Sequence, residues 1–186
     1  MAGTAAVLTS AVEYTTVGFG KVARTTDSPV TVPAAPPSGP VWASDVTPAA
    51  ERNGYGPVEK DQSNGGIPAR DGKPLTINGV NHAKGLGTHA SAEIVFYLGG
   101  RCSAFTVDVG IDDEKEPATK LGSATFGVYA DGIKAAESGL KTWADPATTL
   151  KADVSGARYL RLVLTDGGDG VQYDRGDWAS PRLTCA

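Results

Sequence analysis

Phe105-Thr-Val-Asp-Val109 alternates apolar and polar side chains. Because successive side chains of a strand point to opposite faces, this stretch predicts a strand with one buried face and one face in water. Thr125-Phe-Gly-Val-Tyr-Ala130 shows the same pattern and ends at Asp131-Gly132, a hairpin signal. Leu75-Thr-Ile-Asn-Gly-Val80 contains a second such signal. These stretches together predict antiparallel sheets joined by tight turns.

Other strands are predicted on both sides of this region. Ile94-Val-Phe-Tyr-Leu98 is a nearly continuous apolar run, typical of a strand that is buried on both faces or lies in a sandwich core. Four further strands are predicted at Val41–Ser44, Leu150–Val154, Tyr159–Leu164 and Trp178–Cys185. No segment has the periodicity and caps of a long amphipathic helix. We therefore expect an all-β jelly-roll sandwich, because both ends of the domain are strands that can pair.

The proline-rich stretch Pro33–Pro40 divides the chain. Its prolines favour extended geometry, so residues 33–40 are predicted to form a semi-rigid linker. Residues 1–32 show two or three short β patterns, which cannot bury a core by themselves. They are predicted to be extra N-terminal strands from the end of an upstream domain, and residues 41–186 are predicted to form the main domain.

The composition excludes several classes of protein. The 186 residues carry a net charge of −4 and no basic cluster, so nucleic-acid binding is not expected. No apolar run is long enough to cross a membrane. Cys102 and Cys185 could form one disulfide or remain two free thiols. A disulfide would indicate an oxidising, extracellular setting, and we expect a secreted monomer.

Asp166-Gly-Gly-Asp-Gly-Val-Gln-Tyr-Asp-Arg-Gly-Asp-Trp178 is the richest candidate for a functional site. Its glycines allow positive φ angles and a close approach of the backbone to a ligand. Its aspartates supply oxygen acceptors, and its two aromatic residues supply flat apolar faces. This mixture suits either a hard cation bound by oxygen ligands or a sugar bound through hydrogen bonds and ring stacking.

Four motifs resemble those of the NPCBM family, the family 51 carbohydrate-binding modules. They are Asn53–Asp61, Lys84–Ala90, Asp108–Glu114 and the Asp166–Trp178 stretch, and they extend the resemblance over about Val41–Cys185. The resemblance implies a jelly-roll sandwich, bound calcium and recognition of galactose or galactose-containing glycans, on a secreted bacterial glycoside hydrolase such as an α-galactosidase. Residues 1–32 are similar to the end of the immunoglobulin-like domain that precedes such modules. One departure is Thr47–Ala50, where family members often carry an aromatic residue.

The resemblance and the residue chemistry together predict a sugar-binding site. His89 is expected to exchange hydrogen bonds with a sugar hydroxyl, and Glu59 to accept them from neighbouring hydroxyls. Tyr55 could stack on a sugar or cover the edge of the core. Asn64 could be a turn residue or could bind a hydroxyl through its amide. Trp178 could be a sugar platform or a core residue.

The aspartate-rich stretch is divided between two roles. Asp166 and Asp169, with glycines between them, are predicted to hold calcium, whereas Tyr173 and Asp174 are predicted to face the sugar. Asp112-Asp113-Glu114 could also bind calcium, but a solvated turn, or an inward aspartate that caps backbone N–H groups, is the commoner arrangement.

A catalytic function receives little support from the sequence. Glu59 and Asp174 could form a pair of carboxylates for glycoside hydrolysis, but any two acidic loop residues would satisfy that criterion. No nucleophile elbow, phosphate-binding loop or zinc-type spacing is present. We therefore expect a non-catalytic module that recognises galactosides and holds an attached glycoside hydrolase at its substrate. The alternatives are a structural or protein-interaction β-domain without sugar binding and, third, a small glycosidase.

Overall fold

The computed structural model describes residues 33–115 and 118–186, and within them nearly all regular structure is β. A single short 3-10 helix, Ala43–Asp45, follows the first strand. The strands are β1 (Gly39–Trp42), β2 (Ala50–Arg52), β3 (Glu59–Lys60), β4 (Leu75–Ile77), β5 (Val80–His82), β6 (Gly85–His89), β7 (Ala92–Tyr97), β8 (Cys102–Ile111), β9 (Ser123–Ala130), β10 (Ile133–Thr142), β11 (Thr148–Asp153), β12 (Tyr159–Thr165) and β13 (Arg175–Cys185). The predicted strands and upstream domain at residues 1–32 lie outside the described residues.

The strands form two antiparallel sheets and a separate hairpin. One sheet has six strands in the order β11-β8-β13-β6-β3, with β1 pairing along the far end of β13. The second sheet has five strands in the order β10-β9-β12-β7-β2. Strands β4 and β5 form a two-stranded hairpin of their own. The predicted all-β sandwich is therefore confirmed.

The core lies between the two sheets and is filled by every second side chain of each long strand, the one that points inward. On β7 the buried and half-buried residues alternate, so Ile94 and Phe96 point inward and Val95 points outward. Phe126 from the five-stranded sheet meets Trp178 from the six-stranded sheet edge to face, with ring centroids 5.1 Å apart. Burying aromatic and aliphatic side chains in this layer supplies the main stabilising free energy.

A covalent link closes the far end of the sandwich. Cys102 begins β8, Cys185 ends β13, and the two residues lie opposite each other in the strand register. They form a disulfide, which was one of the two alternatives open from the sequence. The bond joins strands that are 83 residues apart in the chain.

A third layer covers part of the outer face of the six-stranded sheet. The β4–β5 hairpin packs where the sheet strands carry glycine. A Cβ at Gly85 would lie 2.6 Å from Leu75 Cδ1, and a Cβ at Gly110 would overlap Ile77. Leu75 and Ile77 are therefore fully buried although they lie outside the main core. This layer determines which parts of the sheet remain open for a site.

Both predicted hairpins are confirmed, and two details of the strand prediction are corrected. Asn78-Gly79 connects β4 to β5, and Asp131-Gly132 connects β9 to β10, with positive φ angles at both residues of each turn. The strand expected at Val41–Ser44 instead ends at Trp42 and continues as the 3-10 helix. The final strand begins at Arg175 and not at Trp178. Within residues 33–115 and 118–186, no helix is long and apolar enough to cross a bilayer.

Candidate functional site

A loop lies directly on the outer face of β6, and glycine makes this contact possible. Leu86 points from β6 into the core, so Gly87 points outward. A Cβ at Gly87 would overlap the carbonyl oxygen of Gln62 and would lie 2.5 Å from the carbonyl carbon of Ser63. The loop that follows β3 is thereby held against the sheet, and its position fixes the neighbouring surface.

Two asparagines fix the Asn53–Pro57 turn that carries Tyr55. The Nδ2 group of Asn53 donates to the carbonyl oxygens of Tyr55 and Pro57, at 2.8 and 2.9 Å. The Nδ2 group of Asn64 donates to the same two oxygens, at 2.9 and 3.0 Å. The Asn64 side chain is completely buried, so the prediction of a direct sugar contact is corrected, and Asn64 holds the turn. Tyr55 itself is 43% exposed, which leaves its ring available to a ligand.

His89 ends β6 beside Tyr55. Its backbone N–H donates to Asn53 Oδ1 at 2.7 Å, and its Nδ1 lies 3.1 Å from the carbonyl oxygen of Ala90. Because a carbonyl only accepts, Nδ1 carries the proton and Nε2 is the acceptor. Burial, and secondarily the charge of Arg175, lowers the pKa of His89, so the ring is neutral near pH 7. The His89 and Tyr55 rings are tilted at 59° with centroids 5.7 Å apart.

Arg175 is a candidate site residue that the sequence prediction missed. It begins β13 directly opposite His89 in the register. Its Nε donates to the carbonyl oxygen of Asn64 at 2.8 Å, and its Nη2 donates to that of Gly65 at 3.2 Å. A guanidinium has five N–H donors, so further donors remain for a ligand. Arg175 is the only basic residue in the Asp166–Trp178 stretch, and this isolation is the signal that could have identified it.

Glu59 lies on β3 opposite Gly87, but its carboxylate already has two protein donors. Gln62 Nε2 donates to Oε2 and the Arg70 backbone N–H donates to Oε1, both at 2.8 Å. Glu59 lines a cleft of about 580 Å³ together with Val58 to Gln62, Ala69 and Arg70. Its predicted role as a sugar acceptor therefore depends on lone pairs that these contacts leave free, in a cleft that none of the residues Tyr55, His89 or Arg175 lines.

Tyr173 and Asp174 lie next to His89 but differ in exposure. The Ala90 backbone N–H donates to the carbonyl oxygen of Asp174 at 3.0 Å, which brings the start of β13 to the end of β6. Tyr173 is 38% exposed and has a φ of +64°. The Asp174 side chain is fully buried, and its Oδ1 accepts from the Ser123 backbone N–H at 2.9 Å. Tyr173 can therefore face a ligand at this surface, whereas the sugar contact and catalytic pairing considered for Asp174 are corrected.

Trp178 is a core residue, so its prediction as a sugar platform is corrected. The side chain is 1% exposed, and its ring packs against Phe126 inside the sandwich. The neighbouring inward position on β13 is Gly176, where a Cβ would lie 2.9 Å from Phe126 Cζ. The sandwich covers the indole, and no ring face remains for stacking.

The aspartates predicted to hold calcium lie near the buried carboxyl of Asp174. Asp169 Oδ1 accepts from Ser123 Oγ at 2.8 Å, and Asp166 Oδ1 accepts from the Gly168 backbone N–H at 3.1 Å. Burial, with the charges of Asp169 and Asp166, raises the pKa of Asp174 to about 7. Its Oδ2 is buried without a hydrogen-bond partner in the described residues. Oxygen donors and an unpartnered buried oxygen fit a hard cation, although no group of three or more His, Cys, Asp or Glu in the described part of the chain is arranged around one metal position.

The Asp112–Glu114 segment has a structural role. Asp112 is buried, and its two oxygens accept from the backbone N–H groups of Thr76 and Glu114. Asp113 accepts from the backbone N–H groups of Asn78 and Gly79, at 3.1 and 2.7 Å. The alternative of an inward aspartate that caps backbone groups is therefore confirmed for Asp112, and the pair fixes the β4–β5 hairpin.

The β-sandwich thus presents an exposed phenol ring, a neutral imidazole and a guanidinium where β6 ends and β13 begins, and the exposed Tyr173 lies two residues before Arg175. Such a combination of apolar ring faces and fixed donors and acceptors is the arrangement of a carbohydrate-binding module. Residues 39–184 match the NPCBM/NEW2 domain family, and the chain belongs to that family. The domain is a non-catalytic carbohydrate-binding module.

Two solved binding modules are similar to this chain. The CBM51 module of Clostridium perfringens GH95, in complex with methyl-galactose, is 34% identical with a TM-score of 0.69, and the match covers 78% of this chain and 99% of that module. The structure of CBM51-2 in complex with GlcNAc and INT domains from Clostridium perfringens ZmpB is 29% identical with a TM-score of 0.71, over 79% of this chain and 32% of that chain.

A longer protein contains a similar segment. A Renibacterium salmoninarum protein named as an endo-alpha-N-acetylgalactosaminidase is 37% identical over 172 residues. The match covers 90% of this chain but only 11% of that protein.

Proposed function

We propose that this domain recognises galactose, alone or at an exposed position of a glycan, through the surface formed by Tyr55, His89, Tyr173 and Arg175. The central observation is that His89, whose Nε2 is an acceptor, lies opposite Arg175 in the strand register and next to the exposed Tyr55 ring. A sugar hydroxyl donates and accepts at once, so paired acceptors and donors suit it. The axial 4-hydroxyl of galactose leaves C–H groups on the opposite face of the pyranose, and these can stack on Tyr55.

The similar modules support galactose as the preferred sugar. The GH95 module, solved with methyl-galactose, matches this domain over nearly its whole length at the higher sequence identity. The ZmpB module, solved with GlcNAc, matches at lower identity. We expect modest affinity, because an open surface forms hydrogen bonds that compete with those to water.

We expect His89→Ala to abolish binding of methyl galactoside, because the variant removes the acceptor and one wall of the surface. Isothermal titration calorimetry and chemical-shift titration measure the effect, with GlcNAc as the competing sugar. His82→Ala is the matched control, since His82 is the other histidine of the chain and lies on β5 beside Ser180. No heat and no shift with any galactoside would contradict the proposal and favour a structural or protein-interaction domain.

The proposed role of the module is to hold an attached glycoside hydrolase at a galactose-containing substrate. Linkage raises the local concentration of the glycan near the catalytic domain without adding chemistry. The Cys102–Cys185 disulfide supports a secreted protein, since such bonds persist in oxidising compartments. We propose that the domain is monomeric, which sedimentation at the 19.0 kDa mass of the chain would verify.

Calcium is a separate proposal. Asp169 and Asp174, with Asp166 nearby, are the residues that would hold the ion, which would neutralise the charges that now repel one another. We expect calcium to raise the melting temperature, chelation to lower it, and Asp169→Asn to abolish the difference. Asp153→Asn, at an exposed strand end, is the control variant. A melting temperature that does not respond to chelator would overturn the assignment.

A further inference from the structure

A second pocket lies on the outer face of the six-stranded sheet, at the other end of β13 from Arg175. Its volume is about 320 Å³, and its polar lining comes from Trp42, Thr106, Asp108, Thr149, Ser180 and Arg182. Trp42, Arg182 and Thr106 lie side by side on β1, β13 and β8 in the strand register. None of these residues belongs to the proposed galactose surface.

The pocket is formed by an irregularity in β13. The register between β13 and β8 shifts between Ala179 and Arg182, and Ser180 has a φ of +50°. The Ser180 backbone N–H donates to the carbonyl oxygen of Lys84 at 2.7 Å, one residue beyond the Ala179–Gly85 pair of β13 and β6. Bulges of this kind bend the strand and change the direction of side chains, and they are frequent next to functional sites.

Arg182 is the unusual group in this pocket. Its guanidinium carbon lies 4.2 Å from the centroid of the Trp42 ring. The protein has a comparable pair on the other sheet, where Arg161 lies 4.5 Å from the Tyr129 ring centroid. Arg161 has a carboxylate partner, with Nη1 3.6 Å from Glu93 Oε2. Within residues 33–115 and 118–186, Arg182 has neither an ion-pair partner nor a hydrogen-bond acceptor, so its charge is open to a ligand.

The remaining side chains favour hydroxyl groups. Asp108 Oδ1 accepts from Thr149 Oγ1 at 2.6 Å, which orients the carboxylate across the pocket wall and leaves acceptor capacity at its second oxygen. A ligand that fits both groups carries a carboxylate for Arg182 and hydroxyls for Asp108. Guanidinium and carboxylate match in shape and charge and form paired hydrogen bonds.

We propose that this pocket binds an acidic monosaccharide residue, a pyranose that bears a carboxylate. Its carboxylate pairs with Arg182 and its hydroxyls meet Asp108 and Thr149. The module then has two independent sugar sites on one sheet, a neutral one at His89 and an acidic one at Arg182, and it can engage a glycan that carries both kinds of residue.

The test is a chemical-shift and calorimetric titration of the whole chain with N-acetylneuraminic acid, methyl glucuronide and, as the neutral probe, methyl galactoside. The acids are expected to shift the Trp42 indole N–H signal. Arg182→Gln should weaken acid binding by about ten-fold or more, because a charge-assisted pair is lost. Arg161→Gln is the matched control and should bind the acids like the parent chain.

Two further variants distinguish the acidic site from the galactose surface and from a loss of folding. His89→Ala should no longer bind methyl galactoside and should bind the acids with the affinity of the parent chain. A failure of the galactose site is thereby distinguishable from a failure of the acidic site. Thr149→Val changes the pocket wall and leaves the Arg182–Trp42 contact in place. It should also weaken binding of the acids, and it replaces Arg182→Gln as the test if that variant does not fold. The proposal is overturned if no acid shifts Trp42, if a folded Arg182→Gln variant binds the acids unchanged, or if methyl galactoside occupies the pocket equally well.

Discussion

His89 shows how a single residue receives its chemical role from its surroundings. One ring nitrogen is used by the Ala90 carbonyl, and burial keeps the ring neutral. The second nitrogen is therefore an acceptor at pH 7 and below, until the lowered pKa is reached. Beside it, Arg175 contributes only donors. The two side chains thus divide the hydrogen-bonding roles that a sugar hydroxyl needs.

Asp174 makes stability depend on pH. Its pKa is raised to about 7 in the folded protein, against an ordinary value near 4 in the unfolded chain. Between these values Asp174 keeps its proton in the folded state and loses it in the unfolded state, so its contribution to stability falls as pH rises from about 4 to 7. We expect Asp174→Asn to flatten this decline. Urea unfolding at pH 5 and pH 8 in the presence of chelator measures it.

The matched control for this prediction is Asp153→Asn. Asp153 is exposed, and hydrogen bonds from Ser155 lower its pKa, so it stays ionised throughout this pH range. The control should keep the pH dependence of the parent chain. An Asp174→Asn variant that keeps the slope of the parent chain would contradict a raised pKa at Asp174.

The strand on which a candidate residue lies decides whether its side chain reaches the surface. Trp178 was a candidate for stacking because it follows an acidic loop, but β13 begins three residues earlier and gives Trp178 the inward parity. The same parity turns Arg175 and Asp177 to the outer face, where Arg175 meets His89. Strand starts are hard to place from sequence, and a shift of one residue exchanges the two faces. Tyr55 and His89 lie in short local motifs, and they stay predicted site residues.

At the scale of elements, the contact between β6 and the loop after β3 is the feature on which the site depends. We expect Gly87→Ala to displace this loop, because the added Cβ meets backbone atoms of Gln62 and Ser63. The variant should lose about 1–3 kcal/mol of stability, as overpacked sites do. Galactoside binding should fall as well, since Asn64 in this loop holds the Tyr55 turn. Thermal unfolding and calorimetry measure the two effects.

Gly66→Ala is the control for this prediction. It lies in the same loop, but its Cβ would approach chiefly the flexible Asp71 side chain, at 2.8 Å from Oδ2. This substitution should change stability and binding much less. A Gly87→Ala variant that binds galactoside with parental affinity would contradict the view that the loop must lie on β6.

Elements with a regular pattern were predictable, and bulged elements were not. The strands around Phe105–Val109 and Thr125–Ala130 were evident from alternation, and their turns from Asn-Gly and Asp-Gly pairs. Strand β10 was missed because it is mostly exposed and its register with β9 shifts twice. In an edge strand with two irregularities, apolar and polar side chains do not alternate regularly, so the sequence lacks the pattern that indicates a strand. The β4–β5 layer over the sheet was likewise invisible, since it depends on glycines distant in sequence.

At the scale of the whole molecule, the disulfide links two residues that are distant in the chain. From the sequence alone, one disulfide and two free thiols were both possible. We expect the double variant Cys102→Ala, Cys185→Ala to be less stable by about 2–4 kcal/mol, since the bond restricts the unfolded chain. Denaturant unfolding of the variant, and of the parent chain with and without reductant, measures this. A parent midpoint that is unaffected by complete reduction would contradict a stabilising role.

The chain corresponds to a small part of the Renibacterium salmoninarum protein that it resembles, 11% of its length. Sugar binding by this domain is thus proposed to serve a larger enzyme. The outer face of one sheet carries both proposed sites, with the β4–β5 hairpin packed against β6 and β8 on that same face. With two sites on one surface, a single small module would distinguish glycans by two of their sugar residues and not by one.

The most direct test of the central claim is to locate a bound galactoside. In a chemical-shift titration of the isotope-labelled chain with methyl galactoside, we expect the shifts to centre on Tyr55, His89, Tyr173 and Arg175 and to vanish in His89→Ala. Shifts centred elsewhere, or shifts that persist in His89→Ala, would contradict it.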